Sequence, residues 1–372
     1  MRSDEDGSRG GVRWLTPAAL CSNARRMKRS GKVIVGVAAG VAAGFALERL
    51  FAAPRYRGPI SEHFDGRRFL NADHLAQQHG RGFLKWQLER SRGWWPEWVD
   101  APYGDPPPAR VGEGRMRVTF INHSTTLIQF DGLNILTDPI WSERASPVEF
   151  VGPRRCRPPG IRFEELPPID AVLVSHNHYD HLDVTTLLRL VVRDHPRIVV
   201  PLGNAALLAR HGILGVTELD WWESGPLTPD VRVTCVPARH FSSRGISDRD
   251  ANLWSGFVVS GPSGNAYFAG DTGWGSHFDE IGFRFAPIRA ALLPIGSYLP
   301  RWFMKPAHID PADAVKAHAS LGASTSIAVH FGTFELADDG LEEPVRDLKR
   351  AIAEAGEPRF WILNEGEGRD LP

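Results

Sequence analysis

The chain has 372 residues, 42% hydrophobic and 23% charged, enough for one large domain or two modest ones and unlike the composition of a disordered chain. Its 43 basic and 44 acidic side chains leave a net charge of -1, so the basic footprint of a nucleic-acid enzyme is missing and no nucleic-acid partner is expected. Cys21, Cys156 and Cys235 are too few and too scattered for a disulfide framework or a cysteine zinc site.

Residues 1–26 are polar and arginine-rich. Lys28-Arg29-Ser30-Gly31-Lys32 then precedes the uncharged run 33–47, VIVGVAAGVAAGFAL. A basic stretch before a short apolar segment is the layout of a signal peptide or a signal anchor. The run falls short of the roughly 20 residues of a comfortable span, and Leu50-Phe51 extend it past Glu48-Arg49. Met27 offers an alternative start. Basic residues on the N-terminal side put the bulk of the chain outside the cytoplasm, with a membrane association. Residues 1–53 are read as this leader. Residues 54–114 are a Pro/Gly-punctuated extension with one helix over 73–90, and 115–372 form the main domain.

In the main domain, 117–121, 126–130 and 134–137 read as strands, with Asp131-Gly132 as a hairpin turn. The run 170–175 (DAVLVS) is apolar throughout, as for a strand buried on both faces. A helix is expected after His181, carrying Leu187, Leu188, Val191 and Val192. Further strands are expected at 198–201, 231–237, 253–259, 266–269, 291–294 and 326–330. Helices are expected at 204–211, 311–321 and 341–355. Hairpins first, then strands alternating with helices, predict an α/β fold of two mixed sheets flanked by helices.

The sequence Ser175-His176-Asn177-His178-Tyr179-Asp180-His181 follows the buried strand directly. Alternate residues of an extended chain point the same way, so His176 and His178 can share one metal ion. Asp180 and His181 come after the chain turns and can face a second. His240, Asp271 and His330 each follow another apolar strand and complete a candidate two-metal ligand set.

This pattern resembles the metallo-β-lactamase superfamily, whose fold is an αβ/βα four-layer sandwich with metals at one edge. Further segments resemble the family of N-acyl-phosphatidylethanolamine-hydrolysing phospholipases D. They include Leu136-Thr137-Asp138-Pro139-Ile140, Gly152-Pro153-Arg154-Arg155, Leu219-Asp220-Trp221-Trp222-Glu223, Phe268-Ala269-Gly270-Asp271-Thr272-Gly273, His308-Ile309-Asp310-Pro311 and His330-Phe331-Gly332-Thr333-Phe334. The resemblance implies two zinc ions, one on His176, His178 and His240 and one on Asp180, His181 and His330, with Asp271 bridging. Nitrogen and oxygen donors of this kind also accept iron or manganese. One departure is Asn122, where the family usually has Gly in the turn before His123.

The expected chemistry is attack by a metal-bridging hydroxide on a phosphodiester, releasing N-acylethanolamine and phosphatidic acid. Asp271, Asp180 and His308 are the candidate catalytic groups. His123 and Asp138 are expected to orient ligand imidazoles. Tyr179, Arg154, Arg155, Trp302 and His308 are the candidate substrate contacts. The expected partners are a phospholipid and a membrane surface, and a homo-oligomer is compatible with the sequence. Alternatives are a lactonase or other ester or amide hydrolase of the same fold, an iron-dependent oxidoreductase, or a non-catalytic membrane-anchored scaffold.

Overall fold

The computed structural model describes Glu48, residues 51–72 and residues 81–372. The leader's apolar run and the first half of the helix expected over 73–90 lie outside the described residues. No helix among the described residues is long and apolar enough to cross a membrane. Ala52–Pro372 forms one compact unit.

The described part of the extension's helix is α1 (Arg81–Glu89). The main domain opens with an antiparallel meander of β1 (Met116–Asn122), β2 (Thr125–Phe130) and β3 (Leu133–Thr137). Asp131 and Gly132 both have positive φ, 49° and 75°, which a two-residue turn between twisted strands requires. β4 (Ala171–Leu173), β5 (Arg197–Pro201) and β6 (Thr217–Leu219) add in parallel, crossed over by α2 (Val184–Asp194) and α3 (Asn204–Arg210).

A second antiparallel run follows: β7 (Ser224–Pro226), β8 (Arg232–Val236), β9 (Gly256–Gly261) and β10 (Gly264–Phe268). Then α4 (His277–Phe285), β11 (Ile288–Pro294), the short α5 (Arg301–Met304), α6 (Pro311–Ser320), β12 (Ser326–Val329), α7 (Glu343–Glu354) and β13 (Phe360–Trp361) continue it with parallel pairings. The last strand, β14 (Gly368–Asp370), returns to pair antiparallel with β1. The result is two seven-stranded sheets, ordered β14-β1-β2-β3-β4-β5-β6 and β13-β12-β11-β10-β9-β8-β7. Each half has an antiparallel edge leading into a parallel, helix-covered part.

Alternation along the strands builds three buried layers. Phe120, Ile128, Ile135 and Leu173 of one sheet pack with Val233, Phe257, Phe268 and Leu292 of the other. Ile121, Leu127, Leu136 and Val172 point the opposite way, under Leu187, Leu190 and Leu207 of α2 and α3. Val258, Tyr267 and Leu293 pack under Phe278, Ala314 and Leu348 of the other helices. This is the predicted four-layer sandwich. The extension contributes to it, because Phe64 and Phe69 are buried in the inter-sheet core and Tyr56 packs against it.

The sequence reading missed the edge strands β6, β7, β13 and β14, and also α4 and α5. These elements are short, two to four residues for all but α4, so periodicity has almost nothing to act on. The strand expected over 253–259 begins only at Gly256, since Leu253 N and Ser255 N donate to Leu202 O and Ser175 O instead of to a neighbouring strand of their own sheet.

Candidate metal centre

Every candidate ligand sits on a loop that leaves the C-terminal end of a strand. His176, His178, Asp180 and His181 follow β4, His240 follows β8, Asp271 follows β10 and His330 follows β12. His123 lies in the β1–β2 turn and Asp138 just after β3. His123, Asp138 and His330 have φ of 46°, 32° and 61°, a region that non-glycine residues enter only when their surroundings hold them there. Asn122 is not the strained residue of its turn. It is buried, and its side-chain amide donates to Ile140 O at 3.3 Å, so the departure from Gly leaves the turn intact.

The loops bring the predicted residues together in two lobes. His176, His178 and His240 form one, their ligand atoms within 4.8 Å of one another. His176 Nε2 lies 2.9 Å and His240 Nε2 3.3 Å from His178 Nδ1. Asp180, His181 and His330, with His123, form the other lobe within the same limit. Asp271 stands between them. Its Oδ2 is 3.3 Å from His181 Nε2, 3.1 Å from His330 Nε2 and 3.8 Å from His240 Nε2. His308 Nδ1 is also 3.8 Å from that oxygen.

The surrounding hydrogen bonds fix which ring nitrogen faces inward. His240 Nδ1 bonds Ala307 O at 3.0 Å, which leaves Nε2 for the cluster. His181 Nδ1 bonds Asp138 Oδ2 at 2.6 Å. The Ser175 hydroxyl donates to the same carboxylate at 2.6 Å and lies 2.9 Å from His176 Nδ1. His123 Nε2 lies 2.9 Å from Asp180 Oδ2. Asp138 thus holds the His181 imidazole, while His123, expected to orient an imidazole, lies against the Asp180 carboxylate instead.

Charge follows the same division. Burial holds the His178 imidazole down to about 3 and keeps His176 and His240 well below the usual histidine range, so the first lobe is neutral and ready to ligate. Burial opposes ionisation of Asp180 and Asp271 too, but the neighbouring histidines outweigh it, and both stay well below the usual carboxylate range. For His330, burial is overcome by the Asp271 and Asp180 carboxylates, which raise it to about 9; His181 is raised likewise. Two buried carboxylates held ionised demand positive charge between them.

A metal fits this demand. Asp271 Oδ1 is buried and makes no hydrogen bond, and a cation would displace the protons that the carboxylates hold on His181 and His330 and free both Nε2 atoms to ligate. His308 is buried enough to be lowered to about 4, yet it lies at the partly open side of the cluster.

Four of the predicted substrate contacts are held by other partners or face outward. Arg154 pairs with Glu143 at the surface. Arg155 is buried and donates to Ser142 O and Ile140 O while its guanidinium lies over Phe334, so it braces a loop. Trp302 lies on the outside, beside Phe303 and under Lys85. The Tyr179 ring packs with Ile140, Ala145 and Phe334, and its hydroxyl bonds Arg244 O. Two supporting residues escaped the sequence reading. Ser175 adjoins the motif and was legible there as a hydroxyl before the first histidine. Asn71 bonds both the backbone N and O of His240 at 3.0 and 3.1 Å, and nothing local in the sequence signals it.

Residues 133–331 match the model of the beta-lactamase superfamily domain. Over 256 residues the chain is 39% identical to N-acyl-phosphatidylethanolamine-hydrolyzing phospholipase D 1 of Caenorhabditis elegans, spanning 66% of this chain and 72% of that one. An uncharacterized protein of Mycobacterium tuberculosis is 42% identical over 255 residues, 67% of this chain and 68% of that one. Among solved structures, Igni18, a metallo hydrolase from Ignicoccus hospitalis, shares the fold with a TM-score of 0.52 at 20% identity, covering 69% of this chain and 99% of that one. With its two-sheet sandwich and its strand-end cluster of histidines and aspartates, the chain belongs to the metallo-β-lactamase superfamily and is a metal-dependent hydrolase of that fold.

Proposed function

We propose that the protein is a two-zinc phosphodiesterase of phospholipase D type, acting on N-acyl-phosphatidylethanolamine or a related phospholipid. The observation that carries this reading is the two-lobed donor cluster with Asp271 between the lobes. The activity in the name of the Caenorhabditis elegans relative supplies the substrate class. Water adds to phosphorus and the bond from phosphorus to the ethanolamine oxygen breaks, so phosphatidic acid and N-acylethanolamine result.

When bound, a pair of metal ions supplies Lewis acidity and brings the pKa of water toward about 7. His176, His178 and His240 would hold one ion and Asp180, His181 and His330 the other, with Asp271 shared. Asp138, Ser175 and Ala307 O keep the imidazoles aimed inward. His308, on the open side, is placed to donate a hydrogen bond to a phosphoryl oxygen, and the surrounding burial limits competing water.

A surface beside the site supports a lipid substrate. On α1, Trp86 faces inward while Leu84 and Leu88 are 60% and 79% exposed, with Lys85 alongside over exposed Trp302. Exposed leucines and tryptophan beside basic side chains suit the boundary between headgroups and acyl chains. α5, which carries Trp302, leads directly to Ala307 and His308. The leader expected over 1–53 would hold the enzyme at the same surface.

The test is elemental analysis of the purified protein together with hydrolysis of N-acyl-phosphatidylethanolamine in mixed micelles. Two zinc per chain and phosphatidic acid as product are expected. Zinc without that product would retire the lipid substrate in favour of another ester. Iron would retire the hydrolytic zinc site.

A further inference from the structure

We propose that Arg244 is a positioning residue that sets the shape of the ligand loop 176–182. The inference rests on His176, His178 and His181 being metal ligands, and on nothing about the substrate. Arg244 Nη1 donates to Asn177 O at 3.0 Å and to Leu182 O at 2.9 Å. Those two carbonyls bracket the loop. The first lies between His176 and His178, and the second directly follows His181. The guanidinium lies 3.8 Å over the Tyr179 ring, and the Tyr179 hydroxyl donates back to Arg244 O at 3.1 Å. One side chain thus holds both ends and the middle of the loop.

The loop's own bonds do not do this. His181 N and Leu182 N both donate to His178 O, at 3.2 and 2.8 Å, which closes the turn but leaves the Asn177 and Leu182 peptide planes to be fixed from outside. Neighbours of Arg244 complete the grip. Ser243 N donates to Asn177 Oδ1 at 3.0 Å, and Asn177 Nδ2 donates to Asn252 Oδ1 at 3.0 Å. Asp248 in turn anchors the Arg244 loop, accepting from Gly245 N at 2.8 Å and from Ala53 N at 2.6 Å.

An arginine suits the task because its Nη1 carries two N–H groups in one plane, and that plane can rest on an aromatic face. The tie costs little motion at the ligands only while both carbonyls are engaged. A tilt of either peptide plane would carry His178 or His181 with it.

The experiment is a metal-affinity measurement without substrate. Metal-free Arg244→Met and Arg244→Gln, alongside the parent, are titrated with zinc against a chelator of known affinity. Far-UV circular dichroism and the melting temperature of each metal-free protein are recorded in parallel. Affinity is expected to fall roughly 10–100-fold in both variants, the range for residues that orient ligands. Arg244→Lys, which keeps a cationic donor but loses the two coplanar N–H groups and the aromatic stack, should recover at most part of the lost affinity.

Parental affinity in either folded variant would overturn the assignment, even if the melting temperature drops, because a purely structural staple moves only the latter. If the methionine variant does not fold, the shorter, polar glutamine variant carries the same test. Because no lipid enters the titration, failure of the phospholipase reading leaves this result untouched.

Discussion

Asp271 concentrates the demands of the cluster on one carboxylate. One of its oxygens approaches histidines of both lobes and the other is buried without a hydrogen bond. Asp271→Asn keeps the shape but removes the charge that both lobes share. Hydrolysis should fall by at least roughly 100-fold and bound metal should drop below the parental content; a fully active variant with its full metal content would retire the bridging role. Asp250 offers a separate, pH-dependent test outside the cluster. Burial raises its carboxyl from 3.8 to about 6, with the Arg249 guanidinium 3.8 Å away opposing the rise. A carboxyl raised on folding contributes its full stability below its unfolded value and loses it as pH climbs through the folded one. Asp250 therefore weakens the fold progressively between about pH 4 and pH 6. Its φ of 59° suits asparagine as well. Asp250→Asn should melt like the parent near pH 4 and be more stable by about 1–3 kcal/mol above pH 6. An identical melting difference at pH 4 and pH 8 would show that this carboxyl does not titrate as described.

Strand ends, rather than helices, deliver the chemistry. Each apolar strand stops where its last buried residue meets the edge, and the next residues are free to turn inward with polar side chains. That is why motifs such as Val329-His330 and Ala269-Gly270-Asp271 could be read from sequence as site candidates. The helices do other work. α2 is capped by the Asp183 side chain, which accepts from Thr185 N, and α6 by Asp310, which accepts from Asp313 N. Asp310 also pairs with Arg301 at 3.2 Å, which ties the start of α6 to α5. α1 exposes Leu84 and Leu88 on its outer face. Leu84→Glu with Leu88→Glu should leave hydrolysis of a soluble phosphodiester such as bis(p-nitrophenyl) phosphate within about twofold, and cut hydrolysis of phospholipid in vesicles by roughly tenfold or more. Equal loss on both substrates would mean that the face supports the fold instead of a lipid surface.

At the scale of the whole molecule, the compact unit starts at Ala52, and its first residues are tied in. Ala53 N donates to Asp248 at 2.6 Å, and Ala52 O accepts from Arg210 at 2.8 Å. A chain of residues 52–372 should fold and bind metal. A chain of 54–372 should be less stable by about 1–3 kcal/mol, the cost of losing a buried charge-assisted hydrogen bond. Equal denaturant midpoints for the two would place the boundary elsewhere. The sequence by itself determined the fold class, the order of the main strands and the metal-ligand candidates. Period-2 burial and strand-end polarity are local properties, and local properties are written in neighbouring residues. Only the tertiary structure decided which candidates converge and which do not. Arg154 and Arg155 look like substrate contacts in one dimension and are claimed by Glu143 and by carbonyls in three. Asn71, Ala307 O and Arg244 look like nothing, yet they hold His240 and the ligand loop across separations of tens of residues or more. Such contacts depend on how two sheets are stacked, and no local pattern records that stacking.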